Sequence, residues 1–132
     1  MPVYVDTSAL YAILDRTDIS HETAAATWHL MGDRPESLFT SSYVLLESVA
    51  LLQSRLGLES VRELEARIVP LLTVRWVDRG LHSRAFSTLL TARRRDLSLV
   101  DCVSFEVMRE MDLDMAFAFD AHFTEQGFRL VS

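Results

Sequence analysis

Short apolar runs alternate with amphipathic stretches along the whole chain. Val3-Tyr4-Val5 is a β-prone run that gives way at once to Asp6-Thr7-Ser8, residue types that start helices. A first strand and a helix over Ala9 to Arg16 follow. Ser20-His21-Glu22-Thr23 opens a second, Ala-rich helix that ends near Gly32. After a loop at Pro35, Ser37 to Thr40 reads as a second strand, and Ser41 or Ser42 caps a helix over Tyr43 to Leu56 closed by Gly57. Val61, Leu64, Ile68 and Leu71 recur at helical spacing, so a helix runs from about Glu59 and is kinked or ended by Pro70. Leu72 to Val77 is a third strand. Helices are expected over Leu81 to Arg94 and from Ser98 to about Met111. Met115 to Phe119 reads as a buried strand ended by Asp120, followed by a short helix to Gly127 and a last strand over Phe128 to Val131. Strands that alternate with helices imply an α/β fold: a three-layer sandwich whose central sheet is mostly parallel, with helices on both faces.

The 132 residues suffice for one domain with one core, so residues 1–132 are expected to form a single unit. With 49% hydrophobic and 24% charged residues, the profile is globular rather than disordered. All thirteen basic residues are Arg, and neither Lys nor Asn occurs. Without Lys there is no phosphate-binding loop, no kinase-type Lys–Glu pair and no Schiff-base chemistry. The single Cys102 can form no internal disulfide and no Cys-rich zinc site. The four glycines lie too far apart for a dinucleotide fingerprint. No signal-type or membrane-spanning stretch appears, which points to a soluble, cytoplasmic protein with no membrane partner. The net charge of -6 argues against holding a polyanion through bulk charge, though not against a local site.

Four acids stand in telling places. Asp6 and Asp120 each sit where a hydrophobic strand gives way to a helix, the end of an open α/β sheet at which ligands bind. Each also suits a simple helix cap. Asp101 stands three residues after Ser98, as in a capping box. Glu47 has Tyr43, Val44, Ala50 and Leu51 as its helix neighbours and no basic residue within a turn. A carboxylate among apolar neighbours needs a cation or hydrogen-bonding partners, and a distant Arg would serve as well as a ligand. If the four converge, mutual repulsion raises their pKa values, and a hard divalent cation such as Mg²⁺ or Mn²⁺ relieves it.

Val5-Asp6-Thr7-Ser8-Ala9-Leu10, Val44-Leu45-Leu46-Glu47 behind Thr40-Ser41-Ser42, Leu97-Ser98-Leu99-Val100-Asp101, and Phe119-Asp120-Ala121-His122-Phe123 before Gly127-Phe128 occur in this order across nearly the whole chain. In these segments the chain resembles the PIN-domain ribonucleases, and among them the VapC-type toxins of toxin–antitoxin pairs. The resemblance implies a parallel-sheet α/β/α sandwich. It also implies a Mg²⁺- or Mn²⁺-dependent endoribonuclease that hydrolyses RNA through a metal-activated water and leaves a 5′-phosphate and a 3′-hydroxyl. Asp6, Glu47, Asp101 and Asp120 would be the catalytic and metal-holding residues. Ser8 and Thr7 would orient a ligand or water, and Ser98 would support Asp101. The resemblance further implies a tRNA, rRNA or mRNA substrate, a homodimer, and a small cognate antitoxin that sets a basic side chain into the acidic site. One departure is Ala118, where relatives commonly carry a hydroxyl two positions before the last acid; it bears on a second metal more than on hydrolysis.

Arg93, Arg94 and Arg95 suit RNA phosphates by their forked geometry, and equally suit a solvated helix end. Asp96, just beyond, has two readings, a border of the site and plain loop surface, and the second is favoured. The four His residues lack ligand spacing, and His122, beside Asp120, is the one to test. Trp28 and Trp76 read as core rather than as base-stacking platforms. Two other readings remain at this point: a catalytically silent binding module whose acids recognise a basic partner peptide, and a phosphatase or DNA nuclease using the same acids.

Overall fold

The protein is described by a computed structural model over residues 1–131; Ser132, the last residue of the expected domain, lies outside the described residues. The elements follow in the order β1 (Val3–Val5), α1 (Thr7–Leu14), α2 (His21–Met31), β2 (Leu38–Ser41), α3 (Ser42–Arg55), α4 (Leu58–Glu63), β3 (Thr73–Arg75), α5 (Arg79–Ala92), α6 (Leu99–Glu110), β4 (Met115–Phe117), α7 (His122–Glu125) and β5 (Arg129–Leu130). All five strands are parallel, in the order β3-β2-β1-β4-β5. Parallel pairing requires crossovers, and the helices between strands supply them and flank the sheet. The chain winds outward from β1 in one direction through β2 and β3. It then returns to the other side of β1 for β4 and β5, so the winding reverses between β1 and β4.

β1 is the central strand and is buried along its whole length. Its Tyr4 therefore needs a partner for its hydroxyl, and Tyr4 Oη donates to Ser104 Oγ on α6 at 2.8 Å. Leu10, Val44, Leu52, Phe105, Phe117 and Phe123 fill the core around the sheet. The ring of Phe123 meets that of Phe105 edge-on at 5.2 Å, which anchors the short α7 against α6.

Three local features depart from the expected pattern. The first helix begins at Thr7 rather than Ala9, because Asp6 is itself the cap and accepts from the Ser8 N–H. The helix expected from Glu59 to Pro70 is broken into α4, a π-helical stretch over Leu64–Ile68 and a 3-10 turn over Val69–Leu71. Pro70 has no N–H to return to the preceding turn, so the ladder must change period as it approaches it. Trp76 is not a core residue: it is 69% exposed just beyond β3, which is an edge strand of the sheet. Gly57 joins α3 to α4 with φ +99, a conformation that a side chain would strain.

Candidate active site

The reversal of winding leaves a crevice beyond the carboxyl ends of β1 and β4. Asp6 stands at the end of β1, and its N–H is bonded to Phe117 O at the end of β4 at 3.0 Å. Asp120 follows β4 by three residues, Asp101 lies in the first turn of α6, and Glu47 faces the same space from α3. Together with Thr7, Ser8, Leu51 and Ser98 these four acids line one open pocket of about 290 Å³. Seven expected site residues, from four separate segments of the chain, thus share one wall.

The capping and site readings of the acids turn out to be compatible, because a cap uses one carboxylate oxygen and leaves the other. Asp6 Oδ2 accepts from the Ser8 N–H at 3.1 Å and from the Ser8 hydroxyl at 2.7 Å. Asp101 Oδ2 accepts from the Ser98 N–H at 3.1 Å, while Ser98 Oγ accepts from the Asp101 N–H at 3.0 Å, which completes a capping box. Asp120 Oδ1 accepts from the His122 N–H at 2.9 Å. Glu47 has neither a hydrogen bond nor an ion pair among the described residues. It is half-buried because it faces the pocket rather than the core, and the distant-Arg explanation is not realised.

The electrostatics are those of a site short of positive charge. Burial pushes the Asp6 carboxyl up to about 7; the charges of Asp101 and Asp120 add to this, and the two bonds from Ser8 offset it only in part. Burial likewise raises Asp101, helped by the charge of Asp120 and opposed by Ser98. Oxygen donors that crowd together and resist ionisation are the donor set for a hard divalent cation, so the residues fit the metal that the sequence led us to expect. Asp6, Glu47, Asp101 and Asp120 could hold it.

A further residue belongs to this cluster. His122 places Nδ1 at 2.9 Å from Asp120 Oδ1 and 3.6 Å from Asp101 Oδ2, and Nε2 at 3.2 Å from Asp96 Oδ2. Asp96 is gripped in turn by Arg94 through Nε at 3.1 Å and Nη2 at 2.8 Å. Removal from water works against a charge on His122, yet Asp96 foremost, then Asp120 and Asp101, holds the imidazole above its ordinary pKa. The sequence offered one signal here, the position of His122 two residues after Asp120; the spacing of Arg94 and Asp96 offered none.

The expected RNA-contacting arginines divide. Arg94 is engaged by Asp96 and by Glu125 at 3.3 Å. Arg93 and Arg95 are exposed and have no ion pair among the described residues. None of the three lines the pocket.

Comparison with known proteins agrees with this arrangement. The sequence pattern of the PIN domain matches residues 3–129. The 23S rRNA-specific endonuclease VapC20 of two Mycobacterium tuberculosis strains is 34% identical over 127 residues, covering 96% of this chain and 95% of the relative. The crystal structure of M. tuberculosis VapC20, a Sarcin-Ricin loop cleaving toxin, superposes with a TM-score of 0.85 at 33% identity over 96% of this chain and 95% of that one. FitAcB from Neisseria gonorrhoeae shares the fold, with a TM-score of 0.69 at 16% identity over 98% and 96% of the two chains. Motif order, sheet topology and a pocket formed by acids from four segments therefore lead to one assignment: the chain belongs to the PIN-domain family, within its VapC group.

Proposed function

We propose that this protein is a divalent-metal-dependent endoribonuclease toxin that cleaves a structured RNA, with ribosomal RNA of the 23S type as its substrate. The observation that carries the reading is the meeting of Asp6, Glu47, Asp101 and Asp120 around one pocket. The likeness to VapC20 in sequence and structure supports the substrate class. Asp6, Glu47, Asp101 and Asp120 would hold Mg²⁺ or Mn²⁺, which when bound would supply Lewis-acid polarisation of the phosphodiester and lower the pKa of a water.

The chain's own residues do the rest. Asp6, Asp101 and Asp120 present one free oxygen each, with the other tied back to the fold, so the ligands are oriented before anything binds. Ser8 holds Asp6 by its hydroxyl and accepts from the Phe119 N–H at 2.9 Å, which fastens the end of β4 to α1. Thr7 is buried beside it, and Ser98 fixes Asp101. Glu47 has no cap to hold it and is the acid free to move a proton. Arg93 and Arg95 take RNA phosphates outside the pocket. The four acids account for most of the net charge of -6, so a bound divalent cation would offset about half of their charge where RNA meets the site.

The same reading includes a small antitoxin that sets a basic side chain into the pocket, a cytoplasmic setting and a homodimer. Tyr43 on α3 and His82 on α5 are bonded and meet edge-on, and His82 stacks on Phe86. Leu46 lies one turn from Tyr43 and Leu90 one turn from Phe86, and both are largely exposed. A second copy of the chain would cover this apolar row.

The test is a comparison of substrates. Purified protein with Mn²⁺ should cut an rRNA fragment that carries the sarcin–ricin loop, and should leave single-stranded DNA and a phosphate monoester intact. EDTA should stop the reaction. Cleavage that persists in EDTA, or no cleavage of any RNA by the metal-loaded protein, overturns the proposal.

A further inference from the structure

We propose that His122, through Nδ1, is a metal ligand alongside Asp101 and Asp120, so that the metal centre carries one nitrogen donor and selects Mn²⁺ over Mg²⁺. The proposal rests on the metal-dependent reading above and adds a ligand that an all-carboxylate site lacks.

The argument begins at Nε2. It lies 3.2 Å from Asp96 Oδ2 in hydrogen-bonding geometry. Asp96 is held by the Arg94 guanidinium at both oxygens, and Arg94 in turn by Glu125. Both Asp96 oxygens accept from the Arg94 guanidinium, so Asp96 meets the imidazole as an ion-paired carboxylate acceptor. A ring proton therefore resides on Nε2. Metal-bound imidazoles are oriented in this way, with the second N–H donated to a carboxylate that fixes the tautomer and raises the basicity of the other nitrogen.

The other nitrogen is then anomalous. Nδ1 is buried and makes no hydrogen bond, although Asp120 Oδ1 is only 2.9 Å away and Asp101 Oδ2 is 3.6 Å away. Asp120 Oδ1 already accepts from the His122 N–H. A ring nitrogen facing two carboxylate groups stands where a cation is favoured, whether a proton in the free protein or a metal ion in the loaded one. A carboxylate oxygen of Asp101, one of Asp120 and a ring nitrogen of His122 lie within 4.8 Å of one another, close enough to share one ion. The ring itself does not line the pocket, and it reaches the cluster through Asp101 and Asp120, which do.

The nitrogen sets the choice of metal. Mg²⁺ prefers oxygen donors, whereas imidazole is a ligand for transition ions. Arg94 also acquires a role that its place in the Arg93–Arg95 run does not suggest: it positions Asp96, which orients His122.

Pulsed EPR of the protein loaded with Mn²⁺ alone tests this. Electron spin-echo modulation should show a directly coordinated imidazole nitrogen, which changes character when the histidines are labelled with ¹⁵N and disappears in His122→Gln. The other three histidines do not compete: His21 Nδ1 is bonded to Ala12 O, His82 to Tyr43, and His29 lies on α2. Titration calorimetry should show Mn²⁺ affinity falling about tenfold or more in His122→Gln, with a much smaller change for Mg²⁺. Mn²⁺ bound by the native protein with no coordinated nitrogen overturns the proposal and leaves the nuclease reading standing. No Mn²⁺ bound at all overturns both. The native spectrum decides the matter even if the variant folds poorly.

Discussion

Ser8 Oγ lies 2.7 Å from Asp6 Oδ2 and 2.9 Å from the Phe119 amide nitrogen, so one hydroxyl donates to the deepest acid of the site and accepts from the strand that carries Asp120. It is the joint between β1 and β4. Replacing Ser8 with Ala removes a bond that stabilises the charged form of Asp6 and leaves the Phe119 N–H unpaired. The variant should lose about 1 kcal/mol of stability. It should also cleave RNA about tenfold more slowly at saturating substrate. Denaturant melts and single-turnover cleavage assays check the two effects separately, and Ser8→Thr should restore part of the rate.

The raised carboxyl of Asp6 makes the metal-free protein sensitive to pH in a defined direction. Its pKa is near 7 in the fold and returns to the ordinary carboxylate range in the unfolded chain. Between those values the folded state binds a proton that the unfolded state has released. The contribution to stability is therefore complete at the acid end of that window and is lost as pH rises through about 7. Asp101 acts in the same direction. In EDTA the melting temperature should fall from pH 5.5 to pH 7.5. Asp6→Asn should flatten that fall and melt above the native protein at the higher pH. Mn²⁺ should stabilise the native protein more at pH 7.5 than at pH 5.5, because the ion must displace protons in the acid range.

The arginine run should separate by function. Arg93 and Arg95 are exposed, and replacing either with Ala should weaken RNA binding for all sequences and reduce the salt dependence by about one counterion. Arg94 is committed to Asp96 and Glu125. Arg94→Ala should instead lower Mn²⁺ affinity and leave the salt dependence of RNA binding nearly unchanged. Filter binding over a range of salt, beside metal titration, checks the contrast.

Much of this site was legible because its acids interrupt strong local patterns. Asp6 ends Val3-Tyr4-Val5, Asp120 follows Met115 to Phe119, and Glu47 breaks an apolar helix, so each could be noticed from its neighbours alone. Their convergence is a property of strand order, which is set by long-range pairing rather than local period. That pairing places β1 between β2 and β4, and it explains why Glu47 is half-buried against a pocket instead of sunk in the core. His122 was visible only as the neighbour of Asp120. Its link to Asp96 spans 26 residues and depends on how the loop after α5 meets the start of α7. Trp76 was misjudged for a related reason: an aromatic residue after an apolar strand reads as core, and only the sheet order shows that β3 is an edge.

The central claim is that Asp6, Glu47, Asp101 and Asp120 hold a divalent cation that cleaves RNA. It is tested most directly by measuring RNA cleavage in Mn²⁺ for the native protein and for Asp6→Ala, with circular dichroism confirming that both are folded. The account predicts metal-dependent cleavage by the native protein and a loss of at least about a hundredfold in folded Asp6→Ala. Cleavage by Asp6→Ala at the native rate would contradict it.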